Sequence, residues 1–186
     1  IAIISLILGL GHPSSHLIDT VGAYFPAVLG ALTVIPVYYI GKYIGGHKTG
    51  ILAAILIAFA PGHFLLHSMI GSTDHHVAES LFSTFFIMFF MLALISAKKK
   101  KLRFEDVFNK NLKVLKEPFI YSVLAGVMYS AYQLCWPGGS LFLLIVLVYA
   151  IFQCIFDNFR NESSDYLGFT GVVTCLVSTI LILPFV

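Results

Sequence analysis

The chain has 186 residues, of which 59% are apolar and only 11% are charged, and its mean hydropathy is +0.94. Soluble domains contain about 45 to 50% apolar and about 25% charged residues, so this composition excludes an ordinary soluble protein and indicates a membrane protein. The net charge of +2 indicates no partner by itself, and the placement of the charges is more informative.

Six apolar runs are long enough to cross a bilayer core, which takes about 20 helical residues. They cover residues 20–41, 50–70, 77–97, 118–135, 139–156 and 166–185. Ile1 to Leu10 is also apolar but lacks the basic start and cleavage site of a signal peptide, so we interpret it as the end of an interrupted helix. We therefore expect an all-α, polytopic transmembrane bundle, in which residues 1–186 are a fragment of one transmembrane domain with about six full spans.

Proline and glycine lie inside several of these runs, for example at Pro26, Pro36, Pro61, Gly30 and Gly126. Such residues bend membrane helices or let them pack closely on one another. A simple membrane anchor has no need of irregular packing, whereas an enzyme or a transporter does. The pattern therefore favours the latter two classes.

The basic residues are confined to alternate connectors between the runs. Of the eleven Lys and Arg residues, eight lie between Lys98 and Lys116, and the others are Lys42, Lys48 and Arg160. Because basic connectors stay in the cytoplasm, we expect Lys98 to Lys116 to be cytoplasmic and the opposite connectors to face outward or into a lumen. The lysine run is then an orientation anchor beside anionic headgroups, and no nucleic-acid partner is expected.

Three potential metal ligands, Asp74, His75 and His76, lie between the second and third runs, on the outward side. Ionisable groups at the end of a membrane helix are costly and usually functional. The outward connectors contain carboxylates and imidazoles without any Lys or Arg. Such mixed ligands suit Mn, Fe or Zn better than Ca, so the motif predicts a divalent-cation surface.

Spacing leaves open how this motif is used. Residues two apart point the same way only in an extended segment, so Asp74 and His76 can share one ion only in a non-helical entry to the third run. If the helix begins earlier, His75 and Glu79 form the competing pair, because they are four residues apart on one face. Asp74 is equally well placed to cap a helix that begins at Val77, beside histidines that bind nothing.

Three stretches of the chain have a familiar order and spacing. They are Tyr24 to Tyr38 (YFPAVLGALTVIPVY), residues 60–62 (APG) and Ser68 to His76 (SMIGSTDHH). Together with the expected topology, they resemble the catalytic subunit of oligosaccharyltransferase in its archaeal form. The resemblance is specific from Pro26 to Glu79 and looser beyond, and it implies a membrane bundle of the GT-C glycosyltransferase type.

In that family an Asp-x-His motif in an external loop binds Mn²⁺ or Mg²⁺. The resemblance therefore implies that Asp74 and His76 are metal ligands and that His75 points elsewhere, with Zn²⁺ as a further acceptable ion. His67 stands where the family usually has Arg. His67, His75 and Glu79 are then candidates for the surroundings of the ion or for contact with the donor phosphate.

The resemblance also implies asparagine-linked glycosylation. An oligosaccharide would pass with inversion from a dolichol-type lipid-phosphate donor to Asn in an Asn-x-Ser/Thr acceptor polypeptide, at a membrane whose lipid surrounds the enzyme. The family's acidic first loop, its downstream helices and its soluble domain lie outside residues 1–186, so this chain alone is expected to be inactive. Trp136, in a Trp-x-Gly-Gly sequence, is similar to a further family feature without an assigned role.

Two other classes of protein are alternatives to an oligosaccharyltransferase. A different GT-C glycosyltransferase acting on lipid-linked sugars would also have an acidic first loop, but it would have no need of the Asp-x-His sequence at this position. A metal-ion transporter also uses Asp and His, but places them near the bilayer midplane in broken helices. In this chain the ligands cluster at one boundary.

Overall fold

A computed structural model describes residues 1–59, 61–72 and 74–185. These residues form α-helices and two 3₁₀ turns, with no strand among them, which confirms the all-α fold. The helices are α1 Ala2–Leu8, α2 Ser15–Gly45, α3 His47–Phe59, α4 His63–His67, α5 His76–Lys99, α6 Phe104–Phe108, α7 Leu112–Cys135, α8 Ser140–Phe159 and α9 Asp165–Ile182. The 3₁₀ turns are Pro137–Gly139 and Leu183–Phe185.

Within the described residues, four helical segments are long and apolar enough to cross a membrane. They are α2, α5, α8 with the 3₁₀ turn before it, and α9 with the 3₁₀ turn after it. These four correspond to the first, third, fifth and sixth predicted runs. The expectation of an integral membrane protein with several spans is confirmed.

The other two predicted spans differ in the structure. Within 50–70, α3 ends at Phe59 after 13 residues and the five-residue α4 follows. Pro61 lacks an amide hydrogen, and Gly62 has a φ of +147°, so the helix cannot continue through this segment. The run 118–135 lies in α7, which has 24 residues but is not among the four segments apolar enough to span.

The helices group into two compact units, Ile1–Thr84 and Phe85–Val186, and each is described by itself. In the first unit, α2 and α3 approach each other at glycines. A Cβ atom at Gly50 would lie 2.7 Å from the carbonyl oxygen of Tyr38, and one at Gly41 would lie 2.9 Å from Cβ of Ala53. The two glycines therefore permit the close contact of these helices.

The segment after α4 is held against α2 by two contacts. The amide of Gly71 donates a hydrogen bond to the carbonyl oxygen of Ala23 at 2.9 Å. A Cβ atom at Gly30 would lie only 2.6 Å from Cβ of Ser68, so this part of the segment packs directly on the helix. Both contacts fix the residues that precede Asp74 on the body of the first unit.

In the second unit, α7 and α9 pack closely at Gly126. A Cβ atom at this position would lie 2.8 Å from the carbonyl oxygen of Thr174 and 2.8 Å from Cβ of Val177. Beside this contact, the hydroxyl of Thr174 donates to the carbonyl oxygen of Ser122 at 3.2 Å. Small residues and hydroxyl groups of this kind hold helices together in a membrane, where apolar burial between helices gives little advantage over lipid.

The variant Gly126→Ala is expected to lower thermal stability, because the added methyl group has no room and overpacking costs about 1 to 3 kcal/mol. Gly171→Ala in α9 is the matched control, since nothing lies within 4 Å of a Cβ atom there. Thermal unfolding of the intact protein in detergent measures both changes. We expect a lower midpoint for Gly126→Ala and an unchanged or higher one for Gly171→Ala; equal midpoints would contradict the tight contact.

A buried carboxylate joins three helices in the second unit. Asp157 in α8 is fully buried. It accepts hydrogen bonds from Lys98 of α5 at 3.2 Å, from Gln153 at 2.9 Å and from the hydroxyl of Tyr166 in α9 at 2.7 Å. Lys98 also pairs with Glu162 at 2.8 Å. Both oxygens of Asp157 are thus satisfied, as the burial of a charge requires.

Candidate metal centre

The link between α4 and α5 carries the predicted site. Asp74 lies outside the helix, and His76 is the first residue of α5. The amide of Asp74 donates to the carbonyl oxygen of Ser72 at 2.8 Å, which turns the chain just before the helix. Asp74 therefore lies in the non-helical entry, whereas His76 is already helical, so the fully extended Asp-x-His geometry considered from the spacing is not present.

Three imidazoles surround the Asp74 carboxylate. Oδ1 accepts a hydrogen bond from the amide of His75 at 2.6 Å and lies 2.9 Å from His75 Nδ1. Oδ2 lies 3.0 Å from His67 Nδ1 and 3.7 Å from His76 Nε2. Desolvation raises the pKa of Asp74, but the hydrogen bond from the His75 amide and the electrostatic interactions with His76, His75 and His67 together lower that pKa below its ordinary value. Asp74 is thus ionised at neutral pH, as a metal ligand must be.

Glu79 adds a second carboxylate one turn along α5. Its side chain is only 16% exposed, and Oε1 lies 3.1 Å from His75 Nε2 and 3.3 Å from His76 Nδ1. Although these distances are those of ion pairs, Oε1 is buried and accepts no hydrogen bond of acceptable geometry from the described residues. A buried carboxylate oxygen in this condition is unfavourable unless a further polar or charged group satisfies it.

The arrangement fits a divalent cation. Asp74, His75 and His76 each offer one ligand atom, and these atoms lie within 4.8 Å of one another. The carboxylate carries the negative charge, the imidazoles supply nitrogen ligands, and the unsatisfied oxygen of Glu79 lies beside them. This combination of ligands is typical of a site for a divalent metal ion.

The side chain of His75 lies beside both carboxylates of the motif, and its place outside the set of metal ligands stays a prediction. The His75 and His76 rings lie 4.4 Å apart between centroids. His75 contacts both Asp74 and Glu79, and His76 Nε2 lies 3.7 Å from Asp74, so the residues of both pairings that spacing left open lie close together. In an extended segment the side chains of Asp74 and His76 would point to one side and that of His75 to the other. Because α5 begins at His76, the segment is not extended throughout, and His75 does not point away.

Sequence reasoning did not assign a role to His63. His63 and His67 lie four residues apart on α4, with ring centroids 4.1 Å apart, and the ring of His76 lies 5.3 Å from the first and 4.9 Å from the second. One ring nitrogen of each lies within 4.8 Å of the other two. The spacing of four was a usable signal, but both residues fell inside an expected membrane span.

Trp136 belongs to the second unit and precedes the 3₁₀ turn Pro137–Gly139. Its ring folds over Gly138, where a Cβ atom would lie 2.4 Å from the indole. The side chain is 39% exposed. The glycine is therefore required by the fold of this turn, and a functional role for Trp136 stays a prediction.

A family model described as "Oligosaccharyl transferase STT3, N-terminal" matches residues 1–186. The chain is 37% identical over 181 residues to the dolichyl-monophosphooligosaccharide–protein glycotransferase AglB of Haloferax volcanii, covering 97% of this chain and 17% of the relative. It is 31% identical over 172 residues to dolichyl-phosphooligosaccharide-protein glycotransferase 3 of Archaeoglobus fulgidus, and this match covers 92% of this chain and 19% of the relative. The chain thus spans about a fifth of the length of these relatives.

Solved structures agree with the sequence relatives. The oligosaccharyltransferase of Archaeoglobus fulgidus in complex with Zn and sulfate aligns with a TM-score of 0.81 at 30% identity, over 98% of this chain and 21% of that one. The AglB protein of the same organism, in complex with an inhibitory peptide and a dolichol-phosphate, aligns with a TM-score of 0.80 at 29% identity. This alignment covers 98% of this chain and 20% of that one. The helical arrangement is therefore that of the N-terminal membrane part of these enzymes.

Proposed function

Because this chain belongs to the oligosaccharyl transferase STT3 family, we propose that it forms the N-terminal membrane part of an enzyme that glycosylates asparagine. The intact enzyme transfers an oligosaccharide from a dolichol-type lipid-phosphate donor to Asn in an Asn-x-Ser/Thr acceptor. One observation carries the proposal: the ionised Asp74 and the His76 imidazole, matched to a metal-binding motif of the family, converge at the entry to α5.

The ligands we assign to the cation are Asp74 and His76, with His75 in reach of the same position. Carboxylate ligands favour Mn²⁺ or Mg²⁺, and imidazole ligands extend the range to Zn²⁺. A relative crystallised with Zn and sulfate supports a divalent ion in this family. The unsatisfied oxygen of Glu79 supports the same assignment, because a nearby cation would offset its burial.

The chemistry assigned to this part of the enzyme is electrostatic. The amide nitrogen of the acceptor Asn attacks the anomeric carbon with inversion and releases one proton, while the bond from that carbon to the phosphate oxygen breaks and the lipid phosphate leaves as its anion. Asp74 and His76 would hold a divalent cation here, and such an ion would supply positive charge to offset the negative charge on the departing phosphate. Of the neighbouring side chains, His67 lies beside these ligands, with its Nδ1 at 3.0 Å from Oδ2 of Asp74.

The orientation follows from the basic residues. We place Lys98 to Lys116 in the cytoplasm and the Asp74 to His76 link on the extracytoplasmic face. The donor then lies in the membrane with its phosphate at the outer surface, and the acceptor polypeptide approaches from outside. A relative bound to a dolichol-phosphate, and another tethered to a peptide with the NVT sequon, support these two partners.

Glycopeptide formation by the intact protein in native membranes tests this function. The acceptor peptide contains Asn-Val-Thr, and the control peptide contains Gln-Val-Thr. We expect product only from the first peptide, loss of product after metal removal by a chelator, and recovery when Mn²⁺ is added back. Equal product from both peptides, or transfer that is indifferent to the chelator, would contradict the proposal.

A further inference from the structure

We propose that His63, His67 and His76 form a second metal site, a three-imidazole site for Zn²⁺. A Zn²⁺ ion bound there would compete for His76 with the cation that we assign to Asp74 and His76. The existence of this site is inferred only from the positions of the three histidines in the first unit. Only its consequence for glycosyl transfer rests on the proposed function.

The three rings converge from two helices. His63 and His67 lie one helical turn apart on α4, and His76 opens α5. One nitrogen from each ring lies within 4.8 Å of the other two. Tetrahedral Zn²⁺ with bonds of about 2.0 to 2.1 Å places its nitrogen ligands about 3.4 Å apart, so rotations of the rings suffice to close the site.

The Asp74 carboxylate orients one of these ligands. Its Oδ2 lies 3.0 Å from Nδ1 of His67. When Nδ1 donates its hydrogen to this carboxylate, Nε2 of the same ring is left without hydrogen and is available to a metal. Carboxylate, imidazole and zinc stand in this relation in many zinc proteins, because the carboxylate fixes the tautomer and raises the basicity of the ring.

The two sites exclude each other because both require His76. A neutral imidazole has one nitrogen free of hydrogen, so it binds one metal ion at a time. Nε2 of His76 is 3.7 Å from Asp74, and the ring also faces His67 at 4.9 Å between centroids. A Zn²⁺ ion on His63 and His67 therefore draws this ring away from Asp74.

The ligands of the two sites rank divalent ions differently, although both accept Zn²⁺. Three neutral imidazoles bring no negative charge, and imidazole suits Zn²⁺ better than Mn²⁺ or Mg²⁺. The Asp74 site includes an ionised carboxylate, which the harder ions prefer. Zn²⁺ is thus expected to inhibit an enzyme that Mn²⁺ or Mg²⁺ activates.

Zinc affinity measured without substrate tests the site directly. The intact protein in detergent is freed of metal and titrated with Zn²⁺ against a chromophoric chelator. His63→Ala and His63→Gln are expected to weaken the tightest Zn²⁺ binding about 10-fold or more, since even residues that only orient a ligand contribute 10- to 100-fold. His16→Ala, an exposed histidine of α2, is the control and should bind like wild type. Unchanged affinity in both His63 variants would overturn the proposal.

Inhibition of transfer tests the competition. With Mn²⁺ present, we expect His63→Ala to keep wild-type activity but to need about 10-fold more Zn²⁺ for half inhibition. Equal inhibition of the variant and wild type would overturn the competition. If no protein transfers glycan while the loss of zinc affinity persists, the proposed function fails and the three-imidazole site stands.

Discussion

Replacing Asp74 by Asn is expected to slow oligosaccharide transfer by the intact protein about 100-fold or more, the scale seen when one group that stabilises developing charge is removed. Asn keeps the shape of the side chain but removes the negative charge that faces the rings of His67, His75 and His76 and that we propose as a ligand charge for the cation. His76→Ala removes the second ligand and should have an effect of similar size.

Initial rates at saturating donor and acceptor measure this effect in membranes. Asp19→Asn is the matched control, because Asp19 is an exposed acid in α2 of the same unit. It should transfer at the wild-type rate. More Mn²⁺ should partly restore Asp74→Asn, since the loss lies in holding the ion. Wild-type rates for Asp74→Asn at low Mn²⁺ would remove Asp74 from the site.

The site could be predicted in part because its residues are close in the chain. Asp74, His75, His76 and Glu79 lie within six positions, and the helix entry between them follows from local chemistry. The approach of His67 and His63 could not be predicted, since it depends on where α3 ends and how α4 turns back. The orientation of His75 also depended on a helix start that the sequence defines only to within one or two residues.

In the fold, too, features set by neighbouring residues could be predicted from the sequence, whereas contacts between distant residues could not. Composition and length predict α2, α5, α8 and α9, because a span must be both long and apolar. The break after Phe59 was marked by Pro61 and Gly62, yet proline inside a membrane run is often tolerated as a bend. The burial of Asp157 left no signal, because its partner Lys98 lies 59 positions away.

Asp157→Ala is expected to reduce the free energy of unfolding of the membrane region by about 1 to 3 kcal/mol, because the substitution leaves buried hydrogen-bond donors without their acceptor. The hydroxyl of Tyr166 and the amide of Gln153 lose that acceptor, whereas Lys98 keeps its ion pair with Glu162 and its contact with the Tyr166 ring. We place the effect at the lower end of the range since Lys98 remains 42% exposed. Thermal unfolding of the intact protein in detergent should show a midpoint lower by several degrees.

Two further variants separate this role from a general effect of surface charge. Glu105→Ala removes an exposed acid in α6 and should leave the midpoint unchanged. Asp157→Asn keeps an acceptor for Tyr166 while removing the charge, so its midpoint should lie between those of Asp157→Ala and wild type. If Asp157→Ala unfolded at the wild-type temperature, the carboxylate would not join α5, α8 and α9.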